Sequence, residues 1–196
     1  MVTPGTLDRR AAVAALLRDR GALLVVTGLG SPSYDVHAAG DSDANYYLWG
    51  AMGGAALLGL GLAQARPERT VLVVTGDGEQ LMGLGGLATI AVARPRNLVI
   101  AVLDNGRYGE TGMQESHTGR GVDLAQVATA CGFAEVLTIA DLAAVEAART
   151  ALHAPATGPR FLLLKVGPEN PPRSLPPRDA VHLKNRLRAH LGLPLP

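Results

Sequence analysis

What this chain has little of limits what it does. A single cysteine, Cys131, excludes an internal disulfide framework and fits a reducing, cytoplasmic compartment. Two Phe, four Tyr and one Trp leave few platforms on which single-stranded nucleic acid stacks. There is no basic surplus either. Eighteen Lys and Arg against seventeen Asp and Glu give a formal charge of +1, which argues against a general nucleic-acid binder. Met1 to Asp8 shows no basic cluster leading into an apolar run, so no secretory signal is expected. One uncharged stretch, Ala44 to Ala65, is long enough to cross a bilayer. It carries Gly50, Gly53, Gly54, Gly59 and Gly61, two adjacent tyrosines and no flanking basic cluster. No membrane span is expected there; the reading is a helix buried on all sides, with Gly50 and Gly54 allowing close packing.

What is present points to an enzyme-like fold. Hydrophobic residues make up 47% and charged residues 18%, which excludes disorder for the bulk of the chain. A length of 196 residues suits one domain over residues 1–196 with one core. Continuous apolar runs, Ala22 to Thr27, Thr70 to Thr75, Asn97 to Leu103, Glu135 to Ile139 and Phe161 to Val166, read as strands covered on both faces. Between them lie helical stretches: Leu7 to Arg20, Met52 to Ala65, Glu79 to Ala93, a helix capped by Asp123 and ended by Gly132, and Leu142 to His153 capped by Asp141. A Pro-rich tail, 167–178, is expected to be extended and to lead into a last helix capped by Asp179, with Leu183, Leu187 and Leu191 on one stripe. Strict strand–helix alternation predicts an α/β fold, a three-layer domain with a parallel sheet of five to six strands and helices on both faces. Ligands then sit at the carboxyl ends of the strands, in the loops Gly28 to Asn45, Gly76 to Glu79 and Asp104 to Val122.

Gly28-x-Gly30-x-x-Ser33 follows a strand, but Pro32 and the polar run after it read as a long loop, so a dinucleotide fingerprint is not supported. The P-loop, nucleophile-elbow and zinc spacings are absent from the sequence. Gly76-Asp77-Gly78-Glu79 is more informative, because it lies where a buried strand turns into a helix and backbone amides there face an anion. The carboxylate of Asp77 conflicts with an anion unless a divalent cation bridges the two. Asp104-Asn105-Gly106-Arg107 ends the next strand at the same edge. A carboxylate, an amide oxygen and a carbonyl are hard ligands of the kind Mg²⁺ takes together with phosphate oxygens and water. Each segment alone is an ordinary turn; the pair at successive strand ends, 28 residues apart from Asp77 to Asn105, is the signal.

The segment GDGEQLMGLGGLATIAVARPRNLVIAVLDNGRYG resembles the binding motif of the thiamin-diphosphate-dependent enzymes, in their diphosphate-binding C-terminal domain. TGLGSPS and YYLWGAMGGA are similar to its other cofactor-contacting parts. YGETGMQESHTG resembles a loop of the sulfopyruvate decarboxylase beta subunit and phosphonopyruvate decarboxylase branch, with Met113 where that loop has a glycine and Asp104 in place of the first Asn of the terminal pair. The resemblance implies the thiamin-diphosphate-binding fold, thiamin diphosphate and Mg²⁺ as cofactors, and Asp77, Asn105 and the Arg107 carbonyl as metal ligands. It further implies diphosphate on amides of Gly78, Glu79 and the Tyr108–Gly109 turn with help from the Gly28 and Leu29 backbone, Gly76 as a further cofactor-binding residue, a Gly50 carbonyl for the aminopyrimidine, and Met52 under the bend of the cofactor.

His117 is a candidate near the reacting carbon or an anionic substrate tail, its ordinary alternative being a solvated loop residue. Arg120 and Arg173 are candidates for an anionic substrate group, against surface decoration; Cys131 reads as a buried structural thiol. The implied function is decarboxylation of an anionic pyruvate derivative, a small 2-oxo acid such as 3-sulfopyruvate or phosphonopyruvate. The alternatives are a carboligase of acetolactate-synthase type and a non-catalytic cofactor-binding subunit. The glutamate that activates the cofactor in such enzymes belongs to a pyrimidine-binding domain, expected here from a partner subunit in a hetero-oligomer.

Overall fold

Residues on one strand feed both faces of the sheet, and that decides the layering. In this computed structural model, which describes residues 5–195, Val25, Leu72, Val74 and Val99 face one apolar layer, while Leu24, Val26, Val71, Val73 and Ile100 face another. Strands apolar on both faces have to be covered twice. The reading of Met1 to Asp8 lies outside the described residues for its first four positions.

The elements are α1 (Arg9–Leu17), β1 (Leu24–Thr27), α2 (Ser31–Ala38), β2 (Asn45–Tyr47), α3 (Ala55–Ala65), β3 (Val71–Gly76), α4 (Asp77–Met82), α5 (Leu84–Ala93) and β4 (Leu98–Asp104). After them come β5 (Arg107–Tyr108), β6 (Gln114–Glu115), α6 (Leu124–Cys131), β7 (Glu135–Ile139), α7 (Leu142–Leu152), β8 (Arg160–Lys165) and α8 (Ala180–His190). Six strands form one parallel sheet in the order β2-β1-β3-β4-β8-β7, and β5 and β6 make a small antiparallel hairpin. Because β2 lies on one side of β1 and β3 on the other, the strand order reverses there, and a crevice opens at the carboxyl ends.

The expected caps are present. Asp123, Asp141 and Asp179 each accept backbone N–H groups in the first turn of α6, α7 and α8, and Gly132 ends α6 in the left-handed conformation. Leu183 is buried, and Leu187 and Leu191 pack on the same core layer as α3 and α5. From 167 to 179 the chain has no regular element and runs back across α1 and α2, where the Arg10 guanidinium of α1 donates to the Pro172 carbonyl and Ser174 Oγ meets His37 Nδ1 of α2 at 2.7 Å.

The differences from expectation have physical causes. Gly28 to Asn45 is not a loop, for α2 opens at Ser31 with Pro32 in its first turn, where a fixed φ and a missing N–H cost nothing. Ser33 is buried there, and its hydroxyl donates to the Gly28 carbonyl at 2.7 Å. The edge strand β2 is three residues of Asn and Tyr, too short and too polar to show as an apolar run. The helix after the tyrosines starts at Ala55 rather than Met52, which puts Gly50 and Gly54 outside it. It is not buried all round, since only Ala55, Ala56, Gly59, Leu60 and Ala63 are covered and Leu57 faces out. Among the described residues no helix is long and apolar enough to cross a membrane.

The stretch Glu79 to Ala93 is two helices broken at Gly83. A Cβ at Gly83 would lie 2.2 Å from the Gly53 carbonyl oxygen, so the 50–54 loop rests on the break. Asp104 to Val122 is not all loop, since it contains the β5–β6 hairpin. The first helix spans Arg9–Leu17 instead of Leu7 to Arg20. Cys131 is half-buried against a core layer rather than enclosed.

Candidate functional site

Three strand ends converge on one cleft. Leu29 and Ser31 follow β1, Gly76 ends β3 and Asp77, Gly78 and Glu79 follow it, and Asn105, Arg107, Tyr108 and Gly109 follow β4. Met52 and Met82 form its rim and are 58% and 62% exposed. The structure therefore brings together ten of the residues singled out from the sequence. Gly28 and Gly50 do not line the cleft, nor does His117. His117 reaches it through a neighbour, its Nδ1 lying 2.7 Å from the Tyr108 hydroxyl, while the Tyr108 ring covers Gly78 so closely that a Cβ there would sit 2.7 Å from it.

Asp77 is buried, at 2% exposure, and is held by loop hydroxyls. Ser116 Oγ and Thr118 Oγ1 both bond its Oδ2, the latter at 2.9 Å, and Thr118 Oγ1 also lies 2.7 Å from Asp104 Oδ1. Burial pushes the Asp77 carboxyl up to about 6, against the pull of the Ser116 hydroxyl, and the nearby Asp104 carboxylate adds to the rise. Asp104 is itself balanced by Lys165, whose Nζ is 2.6 Å from Oδ2. Neither Ser116 nor Thr118 stood out in the sequence, although both lie in the ESHT run. Lys165 carried no signal, because its role depends on β8 lying beside β4.

The oxygen set can be tested for a cation. Asp77 Oδ1 accepts no hydrogen bond from another residue among the described residues, and Asn105 Oδ1 accepts only the Arg107 N–H, at 2.9 Å, as a side-chain turn. With the Arg107 carbonyl, these are one carboxylate and two neutral oxygens, a hard donor set. Among the described residues no group of three or more His, Cys, Asp or Glu forms a self-sufficient metal site. A cation held here therefore needs oxygens from an anionic ligand, which fits Mg²⁺ arriving with a diphosphate.

The remaining candidates are engaged elsewhere. Glu79, taken from the sequence for its backbone N–H, also uses its side chain. Its Oε1 accepts from Gly53 N at 3.0 Å and Ala55 N at 3.1 Å, and the Thr75 hydroxyl donates to Oε2. Burial raises its pKa above the ordinary carboxylate value, and the backbone donors oppose the rise. Arg173 stands at the rim, 3.3 Å from Glu110 Oε2 and over the Tyr34 ring, whereas Arg120 pairs with Glu115 on the exposed hairpin.

The side chains of Ser116, Thr118 and Glu110 tie the segment 106–122 to the rest, through Asp77, Asp104 and Arg173, while the β5–β6 hairpin lies within it. Its positive-φ glycines, Gly106, Gly112 and Gly121, make it adaptable, whereas Met113 holds the same left-handed region at φ +63° as a non-glycine. We expect its amides to exchange more slowly once thiamin diphosphate and Mg²⁺ are added. Equal rates with and without the cofactor would count against the site.

The comparisons with known proteins bear on the same stretch. Residues 33–166 match the model of the thiamine pyrophosphate enzyme, C-terminal TPP binding domain. The chain is 40% identical over 115 residues to the sulfopyruvate decarboxylase subunit beta of Methanocaldococcus jannaschii, covering 59% of this chain and 61% of that protein. It is 47% identical over 115 residues to the phosphonopyruvate decarboxylase of Streptomyces hygroscopicus, covering 59% of this chain and 28% of that one. In solved structures, benzoylformate decarboxylase from Polynucleobacter necessarius superposes with a TM-score of 0.68 at 20% identity, over 87% of this chain and 36% of that one, a likeness of fold. The matched region thus spans about three-fifths of the beta subunit and about a third of the longer enzymes.

Proposed function

Starting from a chain that belongs to the thiamine pyrophosphate enzymes by their C-terminal TPP binding domain, we propose that it is the diphosphate-binding subunit of a 2-oxo acid decarboxylase dependent on thiamin diphosphate and Mg²⁺. The carrying observation is the meeting of Asp77, Asn105 and Arg107 with Gly78, Tyr108 and Met52 in one cleft at the reversal of strand order. When bound, the cofactor supplies a nucleophilic carbon and an electron sink for decarboxylation.

The chain's own residues bind and orient. Asp77, Asn105 and the Arg107 carbonyl hold the cation, whose charge offsets that of the diphosphate. Amides of Gly78, Glu79 and the Tyr108–Gly109 turn hold the diphosphate oxygens, together with the backbone at Leu29; Gly28 is not among them, since its N–H donates to the Val74 carbonyl and its own carbonyl accepts from Ser33. Met52, unbranched and apolar, would support the cofactor from the rim of the cleft, and Gly50, two residues before it and outside the cleft lining, would offer its carbonyl to the aminopyrimidine. His117 fixes Tyr108 over Gly78. Among the carboxylates that line the cleft, Asp77 is a cation ligand, Glu79 is consumed by the 53–55 backbone and Glu110 is paired with Arg173. The carboxylic acid that activates the pyrimidine ring therefore comes from a partner subunit with a pyrimidine-binding domain. Met52 and Met82 at the cleft and Leu57 in the first turn of α3 are exposed apolar side chains in this chain and suit such a partner. A cytoplasmic setting agrees with the lone cysteine.

The names of the relatives favour an anionic pyruvate derivative as substrate, 3-sulfopyruvate or phosphonopyruvate. A panel of 2-oxo acids tests this on the reconstituted pair. We expect turnover of at least one of the two anionic derivatives to exceed that of pyruvate at least tenfold, with release of CO₂ and an aldehyde. Equal turnover of pyruvate, or carbon–carbon ligation as the main outcome, would overturn the assignment.

A further inference from the structure

The side chain of Glu79 ties the two ends of the cleft together. Its carboxylate is enclosed by three segments. Oε1 takes the N–H groups of Gly53 and Ala55, and Oε2 takes the Thr75 hydroxyl at the end of β3. The end of β1 closes the space from the other side, where a Cβ on Gly28 would stand 2.5 Å from Glu79 Oε2 and 2.6 Å from Thr75 Oγ1. Glycine at 28 is thus what leaves room for the carboxylate.

On its far side this carboxylate anchors a loop with little else to fix it. Residues 50–54 carry two positive-φ glycines, Gly50 at +79° and Gly53 at +88°, and the Met52 side chain between them is more than half exposed. Such a loop has many accessible conformations. Two contacts restrain it: the paired N–H bonds to Glu79, strengthened by the carboxylate's charge, and the seat of Gly53 on the Gly83 break. Both belong to the turn and helix that begin at Asp77.

We propose that Glu79 is a positioning residue that sets Met52 and Gly50 in register with Asp77 and Gly78, so that the support under the cofactor's bend is built from the same turn as its diphosphate anchor. This rests on the cofactor reading given above. The side chain of Glu79 touches neither the cation nor the diphosphate; it acts through the 50–54 loop. Its removal therefore harms recognition of the whole cofactor and spares recognition of its diphosphate end.

Calorimetry on the full chain with Mg²⁺ separates the two, using thiamin diphosphate and inorganic pyrophosphate as probes. For Glu79→Ala we expect at least a tenfold loss of affinity for thiamin diphosphate and less than a twofold change for pyrophosphate. Glu79→Gln should recover most of the loss, since its amide oxygen still accepts from Gly53 and Ala55 and its NH₂ can donate to the Thr75 hydroxyl. Glu79→Asp, shorter by one methylene and gentler on folding, should show the same split in weaker form. Hydrogen exchange at Gly53 and Ala55 should quicken in the Ala and Asp variants without any ligand. Equal losses for both probes, or none for either, in a chain whose wild type binds both would overturn the coupling alone. A wild type that binds neither probe would overturn the cofactor reading, and the coupling with it.

Discussion

Asp77→Ala is expected to abolish Mg²⁺-dependent binding of thiamin diphosphate, a loss of at least a hundredfold or about 2.8 kcal/mol. The proposed donor set holds one carboxylate among neutral oxygens, so without Asp77 nothing on the protein draws the cation to the diphosphate. Asn105→Leu should come close to the same loss, while Asn105→Asp keeps an oxygen in place and should be milder. The proton competes with the cation for the same carboxylate. With the Asp77 carboxyl at about 6, Mg²⁺ affinity should be nearly level above pH 7 and fall with each unit below pH 6.

The stability effect has a definite sign. Between 3.8 and about 6 the folded chain keeps a proton on Asp77 that the unfolded chain has lost, so without metal this group's contribution to stability declines as pH rises through that window. A bound cation removes the penalty, and Mg²⁺ with cofactor should raise the thermal midpoint more at pH 8 than at pH 5. Titration calorimetry and melting curves at the two pH values check both statements. Unchanged affinity in Asp77→Ala would refute the metal assignment.

The purified chain should show no 2-oxo acid decarboxylase activity until a subunit with a pyrimidine-binding domain is added, a difference of at least a thousandfold in rate. Proton transfer at the pyrimidine needs a carboxylic acid facing that ring from an apolar setting. Here the cleft offers Asp77, Glu79 and Glu110, each already engaged. A second copy of the chain would only duplicate the diphosphate half. The outward faces of α3 and α5 point the same way. Leu57 is 42% and Val92 is 86% exposed, on helices whose sequences are apolar almost throughout. Exposed apolar helix faces of this kind suit a large interface with a different chain. Robust turnover by this polypeptide alone would refute the composite site. Turnover that appears only in the mixture, and is lost again with Asp77→Ala in this chain, would locate the diphosphate half here.

How far the sequence reached depended on the range of the forces involved. Apolar runs bounded by Gly, Pro and Asp marked five of the six strands of the main sheet and three helix caps, because burial and capping are local demands on composition; β7, at the sheet edge with Leu137 exposed, is the strand of the five that is not covered on both faces. Gly76-Asp77-Gly78 and Asp104-Asn105 stood out for a similar reason, since turns at strand ends have a restricted vocabulary. Pro32 misled, because the same residue stops a helix from inside and starts one from its first turn, and only the path of the chain chooses between them. The solvent-facing side of α3 was hidden as well, since an apolar residue reads alike whether it meets its own core or another chain.

The sequence by itself determined the layered parallel sheet and the residue types at its carboxyl edge, down to the carboxylate and amide proposed to hold a cation. Only the tertiary structure decided which distant groups reach them. Lys165 balances Asp104 because β8 lies beside β4. Ser116 and Thr118 grip Asp77 because the hairpin folds the loop back over the cleft. Glu79 turns its carboxylate to Gly53 and Ala55 because the 50–54 loop settles on the break at Gly83. Local structure follows from short-range sterics and patterning, whereas these contacts join positions 24 to 61 residues apart, and no local pattern records a partner that arrives from so far along the chain.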